Sequence, residues 1–426
     1  MKNKIQSVKG MNDLLPTASK VWHHVEASLR KVAWQYGYEE IRTPMLEKTA
    51  LFTQSIGDQT DIVEKEMYTF ADSGEEMLSL RPEATASTVR ACNQHGLLHN
   101  ATQRLWYMGP MFRRERPQRG RYRQFHQFGI EAFGWGGPDI DAEIIRVGAR
   151  IWKELNVKGM KLLLNTLGNQ SSRDAYRYAL QGYLERYRND LDADSLRRLD
   201  RNPLRILDSK VESTQAILAD APSLHEHLDD GAKAHFDGLC ELLDGAGIEP
   251  VLSEGLVRGL DYYTSTVFEW VTDQLGAQSA VCAGGRYDGL VELRGGRPTP
   301  AIGFALGVER MVELIIQQNE QLPGNDPDVY FIQLSPNLGK LANQVSEDLR
   351  DCGLRVVSHC GGGKVKNQMK KADQSGAKIA VILGDDEQQK GVAQIKLLRD
   401  SGIQREVALV DLGSWCVDYL KQSQAG

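Results

Sequence analysis

The chain has 426 residues, 41% hydrophobic and 25% charged, with a formal net charge of −6. This is the balance of a globular chain of roughly two to four domains, in which an anionic partner needs a local basic cluster. No apolar run reaches the roughly 18–20 residues that cross a bilayer, the first ten residues lack a signal peptide's apolar core, and the six cysteines form no CxxC pair. A membrane span, a zinc site and a disulfide framework are therefore not expected, and a cytoplasmic, reducing location is.

Val21, Val25, Leu29, Val32 and Tyr36 recur every three or four residues and predict an amphipathic helix stopped by Gly37. "YEEIRTPMLE" follows as a short strand limited by Pro44. "EMYTF" and "EMLSLRP" predict a hairpin around residues 72–74, and "EATASTVRACNQH" predicts a helix. His95 and His99 are split by Gly96 with no carboxylate beside them, which favours structural roles over metal binding. "RLWYMGPMFRRE" and "RYRQFHQFGIEAF" predict two long antiparallel strands joined by a basic loop. Residues 139–155 read as a helix and "KLLLNTLG" as a strand. From about 172 to 245 the chain turns charged and helical, opening on a serine cap, and predicts a helical insertion. "LVRGLDYYTSTVFEWV" and "SAVCAGGRYDGL" read as strands, and "GFALGVERMVELIIQQ" as a helix that closes a first unit, 1–325. "NEQLPGNDPD" is a linker by composition. Five strands follow, with helices after the first, second and last, predicting an α/β domain over 328–426.

Residues 111–126 hold six arginines and one acid. A solvated hairpin loop and an anion site fit this run equally well. Alternation along the second strand puts Phe125, Gln127, Gly129, Glu131 and Phe133 on one face and His126, Phe128, Ile130 and Ala132 on the other. The apolar face is expected to pack on helices. The face with a glutamine and a carboxylate needs polar partners if buried, so it reads as a pocket wall. With Phe112 and Arg113 opposite, it offers the aromatic plane and cation that a nucleotide requires. In "VRGLDYYTS", regular strand geometry points Tyr262 and Tyr263 oppositely, unless Gly259 allows a bulge. One tyrosine is then core and the other free to meet a ligand. In "CAGGRYDGL" the glycines permit close backbone approach, and Arg286 and Asp288 read equally as turn residues. Gly303 and Gly307, four apart, fit tight helix packing, and Arg310 comes early on a helix. Glu83, after Pro82 at a helix start, either faces the helix dipole or receives an ammonium. There is no GxxxxGK[ST] loop and no GxGxxG after a strand, so a nucleotide would be held by arginines.

These stretches resemble a known family. "FRRE" with "RYRQFHQFGIEAFG" resembles motif 2 of class II aminoacyl-tRNA synthetases, "GFALGVERM" motif 3, and "YGYEEIRTPMLE" motif 1. "LVRGLDYYTSTVFEW" and "AGGRYDGL" resemble the two histidine-binding signatures of the histidyl-tRNA synthetase family. The resemblance runs from residue 10 into the C-terminal domain. It implies an α+β catalytic domain with an antiparallel sheet flanked by helices, a helical insertion, and a C-terminal α/β anticodon-binding domain. It also implies ATP-dependent ligation of L-histidine to its tRNA through a histidyl-adenylate, in a homodimer.

By that resemblance Arg113 and Arg258 would be catalytic, flanking the α-phosphate, with Arg258 standing where related enzymes use a metal ion. Phe125 and Arg310 would sandwich adenine. Glu83 would take the substrate ammonium, with Ala84, Thr85 and Gln127 beside it. Glu131 and Tyr263 would reach the imidazole, and Tyr262 and Tyr287 would complete the pocket. Mg2+ would ride on the β- and γ-phosphates, with no metal site built by the protein. Arg116, Gln118, Arg119, Arg121 and Arg123 would lie near the tRNA acceptor end. Lys364 and Lys366, with Lys370 and Lys371, would form a basic edge for the RNA backbone. Two positions depart from the family pattern. Ala84 replaces a common glycine, so ordinary dihedrals are expected there, and Arg114 adds a charge outside the matched positions. The alternative is a non-catalytic histidine-sensing or regulatory paralogue, which would erode the ATP and histidine signatures or lack the tail domain. This chain keeps both.

Overall fold

The computed structural model describes residues 5–57, 60–276, 280–318, 326–400 and 403–425. Contacts divide the chain into two compact units, Met1–Pro323 and Gly324–Gly426. Most of the predicted linker, 319–325, lies outside the described residues. Among those described, no helix is long and apolar enough to cross a membrane.

The first unit is built on an eight-stranded sheet. In spatial order its strands are Glu39–Glu40, Gln103–Phe112, Gln124–Phe133, Ala301–Gly307, Ala280–Arg286, Thr266–Val271, Lys161–Thr166 and Val251–Leu252. The six central strands pair antiparallel, and the two-residue edge strands join in parallel. One sheet face is apolar. Phe128, Ile130 and Phe304 pack there against Val25 and Leu29 of helix Pro16–Gln35, Ile144 of helix Pro138–Glu154, and Leu239 of helix Asp230–Asp244. The first of these helices stops at the predicted glycine, Gly37, which takes a φ of 74°. The hairpin forms as Tyr68–Ala71 and Met77–Leu80, its turn closed by Asp72 Oδ1 accepting the amides of Gly74 and Glu76.

Four sequence expectations change. "GFALG" is strand, not helix: Ile302, Phe304 and Leu306 alternate with Gly303, Ala305 and Gly307 at period two, and neighbouring strands pair on both sides. "LVRGLDYYTS" is not strand: pairing starts at Thr266, and residues 257–265 form an irregular loop. The cap of helix Gln170–Leu184 is Asn169, not a serine; its side chain accepts from the Ser172 amide at 2.9 Å. In the second unit a short helix, Asp385–Lys390, lies between the third and fourth strands.

The charged helical stretch shares its core with the sheet. Tyr176, Leu180, Leu199 and Ile206 belong to one apolar cluster with Tyr262, Tyr263 and Tyr287. A buried ion pair locks the same region. Arg286 Nη2 lies 2.6 Å from Asp141 Oδ1, and Asp141 Oδ2 accepts from Arg286 Nε at 3.1 Å, Thr266 Oγ1 at 2.6 Å and His235 Nε2 at 2.9 Å. Arg286 also donates to the carbonyls of Trp135 at 3.1 Å and Gly137 at 2.7 Å. Asp141→Ala removes the buried partner of that guanidinium and leaves it only the partly exposed Asp288, at 3.3 Å, so a loss of about 3 kcal/mol in urea unfolding is expected.

The second unit has a five-stranded sheet in the order Val356–Ser358, Val329–Gln333, Ile379–Leu383, Val392–Leu397, Gln404–Ala408. The first three are parallel and the last two antiparallel. Helices Gly339–Asp351 and Leu412–Ala425 cover one face, through Val345, Leu349 and Cys416. Helix Val365–Gln374 covers the other, through Met369 and Ala372.

Candidate active site

On the open face of the large sheet, strand register tiles a floor of small residues. Tyr107 pairs with Gly129, Gly129 with Ala305, Ala305 with Ala283, and Ala283 with Glu269. One row over, Glu131 pairs with Gly303 and Gly303 with Gly285. The glycines are required by space. A Cβ on Gly303 would run into the Glu131 carboxylate and the Ile130 carbonyl, and one on Gly129 into the Tyr107 ring. Above this floor lies a cavity of about 270 Å³. Glu83, Thr85, Arg113, Phe125, Gln127, Glu131, Arg258, Tyr262, Tyr263, Tyr287 and Arg310 all line it.

One end of the cavity is a buried carboxylate ringed by hydroxyls. Glu131 is 1% exposed. Its Oε1 accepts from Thr85 Oγ1 at 2.7 Å and Tyr107 OH at 3.3 Å, and its Oε2 accepts from Tyr287 OH. Burial pushes its pKa up to about 8, and the Glu83 charge adds to this, against the Tyr287 and Thr85 hydrogen bonds. Glu83 starts helix Thr85–Gln94 by accepting the amides of Thr85 at 2.5 Å and Ala86 at 3.0 Å. Burial raises its pKa too, opposed by those amides. Glu83 thus caps a helix and faces the cavity at once, so the two sequence readings do not compete. Tyr262 and Tyr263 both reach the cavity, their rings 4.8 Å apart. The loop frees them from the strand rule that would have pointed one away.

The cavity also holds three guanidiniums, those of Arg113, Arg258 and Arg310. Arg113 donates to the Pro82 carbonyl at 2.9 Å and lies 5.4 Å from the centre of the Phe125 ring. Arg310 donates to the carbonyls of Gly120, at 3.2 Å, and Ala280. Burial pulls its pKa down, helped by the Arg121 charge. Arg258 pairs with Glu269 and lies 5.8 Å from the Tyr263 ring centre. Burial works against its charge, but Glu269 and the tyrosines outweigh that and raise its pKa. In the same cavity, Gln127 Oε1 is buried without a hydrogen-bond partner among the described residues. An unpaired buried amide oxygen is costly, so it marks a place for a polar ligand.

The other predicted residues, Arg121 excepted, lie outside the cavity. Ala84 is fully buried with Tyr107 and Met111, at φ −119° and ψ −4°, the ordinary dihedrals that a non-glycine needs. In the basic loop, Gln118 and Arg121 exchange backbone hydrogen bonds around Gly120, whose φ is 70°. Arg116 and Gln118 are exposed. Arg119 pairs with Glu313, and the Arg123 amide is tied to the Gly10 carbonyl at 2.7 Å. Arg121 pairs with Glu115 at 2.9 Å and lines the cavity. Arg114 is exposed, its amide bonded to the Glu66 carbonyl at 2.6 Å. Lys364 is exposed at the start of helix Val365–Gln374, and Lys366 and Lys370 border a groove with Lys396.

Sequence reasoning missed Tyr107, Glu115 and Glu269. The signal for Glu269 was present, a single carboxylate inside the apolar strand "TVFEWV". Its partner could not be read, because Arg258 lies on a loop. No group of three or more potential metal ligands occurs among the described residues. The single carboxylates Glu115 and Glu269 at the cavity wall match what Mg2+ uses when phosphates supply its other ligands.

A family model described as histidyl-tRNA synthetase matches residues 10–311, and one described as an anticodon binding domain matches residues 328–419. The apo histidyl-tRNA synthetase of S. aureus is similar at 34% identity, covering 97% of this chain and 99% of that one, with a TM-score of 0.82. The enzyme of Nostoc sp. PCC 7120 shares the fold at 22% identity, covering 98% and 100%, with a TM-score of 0.73. A Bacillus halodurans protein described as an ATP phosphoribosyltransferase regulatory subunit/histidyl-tRNA synthetase shares it at 24% identity, covering 86% and 96%, with a TM-score of 0.63.

Proposed function

The chain belongs to the histidyl-tRNA synthetase family, and we infer from that premise how its cavity performs the family reaction, the ATP-dependent ligation of L-histidine to its tRNA. In the first step a histidine carboxylate oxygen bonds to the α-phosphorus of ATP and the bond to pyrophosphate breaks. In the second, a 3′-terminal ribose hydroxyl of the tRNA attacks the histidyl carbonyl and AMP leaves. Two anions must meet in the first step. Arg113 and Arg258, set on separate walls, hold them in line and stabilise the charge that develops. Phe125 and Arg310 hold the adenine. Glu83 and Gln127 receive the ammonium, and Glu131, Tyr263, Tyr262 and Tyr287 surround the imidazole. Glu115 and Glu269 would hold the Mg2+ that accompanies the nucleotide, which would supply positive charge to its phosphates.

The observation that carries this reading is a buried, hydroxyl-ringed carboxylate sharing one small cavity with three guanidiniums. A cationic ring, an ammonium and a polyphosphate are complementary to that set. ATP–pyrophosphate exchange with each of the twenty amino acids tests it. Exchange with histidine alone is expected. No exchange with any of them, from folded protein that still binds histidine, would favour the histidine-sensing paralogue.

The basic loop and the tail domain serve the tRNA. Arg116 is exposed and lines no part of the cavity. Arg116→Ala should leave pyrophosphate exchange within about twofold and lower aminoacylation about tenfold, with a weaker salt dependence. A homodimer is supported by the small sheet of Leu46–Lys48, Met77–Leu80 and Tyr68–Ala71, which leaves Leu46 and Phe70 exposed. Six free cysteines, two of them exposed, suit a reducing cytoplasm.

A further inference from the structure

Arg258, Tyr262 and Tyr263 sit on a loop, residues 254–265, that belongs to no strand. Buried backbone outside a ladder must satisfy its polar groups one at a time. Asn165 Nδ2 donates to the carbonyls of Glu254 and Leu256, both at 3.1 Å. The Asp261 amide donates to the Ile56 carbonyl at 3.0 Å, and the Thr264 amide to the Arg286 carbonyl at 2.7 Å. The Leu167 amide donates to the Ser265 carbonyl at 2.7 Å, and further anchors come from the charged helical segment. Arg173 Nη1 donates to the Tyr263 carbonyl at 2.6 Å. Arg205 Nη2 donates to the Gly259 carbonyl at 2.7 Å, and its Nε bonds Asp261 Oδ1 at 3.2 Å. Asn202 Nδ2 reaches the same oxygen at 3.3 Å.

That segment contributes no side chain to the cavity lining. It holds the chain on the residue directly after Arg258, and that residue is a glycine. Glycine has more backbone freedom than any other residue, and the bond to the Gly259 carbonyl restricts it there. The Arg205 side chain is 13% exposed, and it reaches out to hold Gly259 and Asp261, which lie exposed.

We propose that Arg205, supported by Arg173, is a positioning residue for Arg258: it clamps the Gly259 carbonyl and Asp261 so that the Arg258 guanidinium is held over the reacting phosphate. The proposal rests on reading Arg258 as catalytic. A displacement of about 1 Å in such a group can lower a rate about a hundredfold.

The test is a double-mutant cycle on the full-length enzyme, read by histidine-dependent pyrophosphate exchange. Arg205→Ala is expected to lower kcat at least tenfold, with KM for ATP within twofold of wild type. Added to Arg258→Ala it should cost nothing further, because the group it positions is gone. A wild-type kcat for Arg205→Ala, or a penalty that persists in full on Arg258→Ala, overturns the proposal. If Arg205→Ala does not fold, Asp261→Ala enters the same cycle: a kcat loss that vanishes on Arg258→Ala supports the clamp, and no loss or an additive one overturns it. If Arg258→Ala itself keeps the wild-type rate, the reading of Arg258 fails. If it is inactive while Arg205→Ala is normal, only the clamp fails.

Discussion

Arg258→Ala is expected to lower histidine-dependent pyrophosphate exchange by about a thousandfold, the upper range for losing one preorganised group aimed at transition-state charge. The guanidinium is set by Glu269, by the face of Tyr263 and by the loop that carries it. It would therefore meet the transition state with little reorganisation. The cavity wall around it is apolar as well as charged, through Leu260 and the rings of Tyr262 and Tyr263, so its field is less screened than in water. Removing it also strands Glu269, whose side chain is 19% exposed. Glu269→Gln in the same background separates lost transition-state stabilisation from the repulsion of an unpaired carboxylate. Histidine affinity, read by calorimetry, should change far less than kcat. An equal loss in both would assign Arg258 to ground-state binding.

The second large effect belongs to Glu131. Glu131→Gln should lower kcat/KM for histidine about a hundredfold, since a charge-assisted hydrogen bond to the imidazole is replaced by a neutral one. The pH dependence carries the sharper prediction. In the empty cavity the Glu131 carboxyl holds its proton up to about pH 8, while free imidazole loses its proton near about 6.5. Between those values histidine and Glu131 together bring one proton, which suffices for an imidazolium–carboxylate pair. Below about 6.5 they bring one too many, and above about 8 one too few. Wild-type kcat/KM for histidine should therefore be bell-shaped, with its basic limb near 8. In Glu131→Gln that limb should disappear, although the substrate ammonium still titrates. A basic limb unchanged in the variant would assign it to the substrate instead.

Much of this site was legible from local pattern. Strand period two is a property of the backbone, so Gln127 and Glu131 were placed on one face and Phe128 and Ile130 on the other from the sequence alone. The stop at Gly37, the hairpin at residues 72–74 and the helix after Glu83 followed from equally local chemistry. The misreadings share one cause. Gly303 and Gly307 were assigned by spacing to a helix, whereas two strands distant in sequence make them part of a pocket floor. Tyr262 and Tyr263 were given opposite faces by a strand rule that the chain does not obey, because Asn165, Arg173 and Arg205 satisfy its backbone in place of a ladder.

The sequence by itself determined the order of the elements, which side chains share a strand face, and the chemical inventory of the site. These depend on backbone geometry over a few residues and on side-chain type. Only the tertiary structure decided that Glu269 would meet Arg258, that Arg286 would be buried against Asp141, and that the Glu131 carboxyl would keep its proton to about pH 8. Each of these depends on strand register, burial or a side chain from another part of the chain, and none of those leaves a mark in the neighbouring residues.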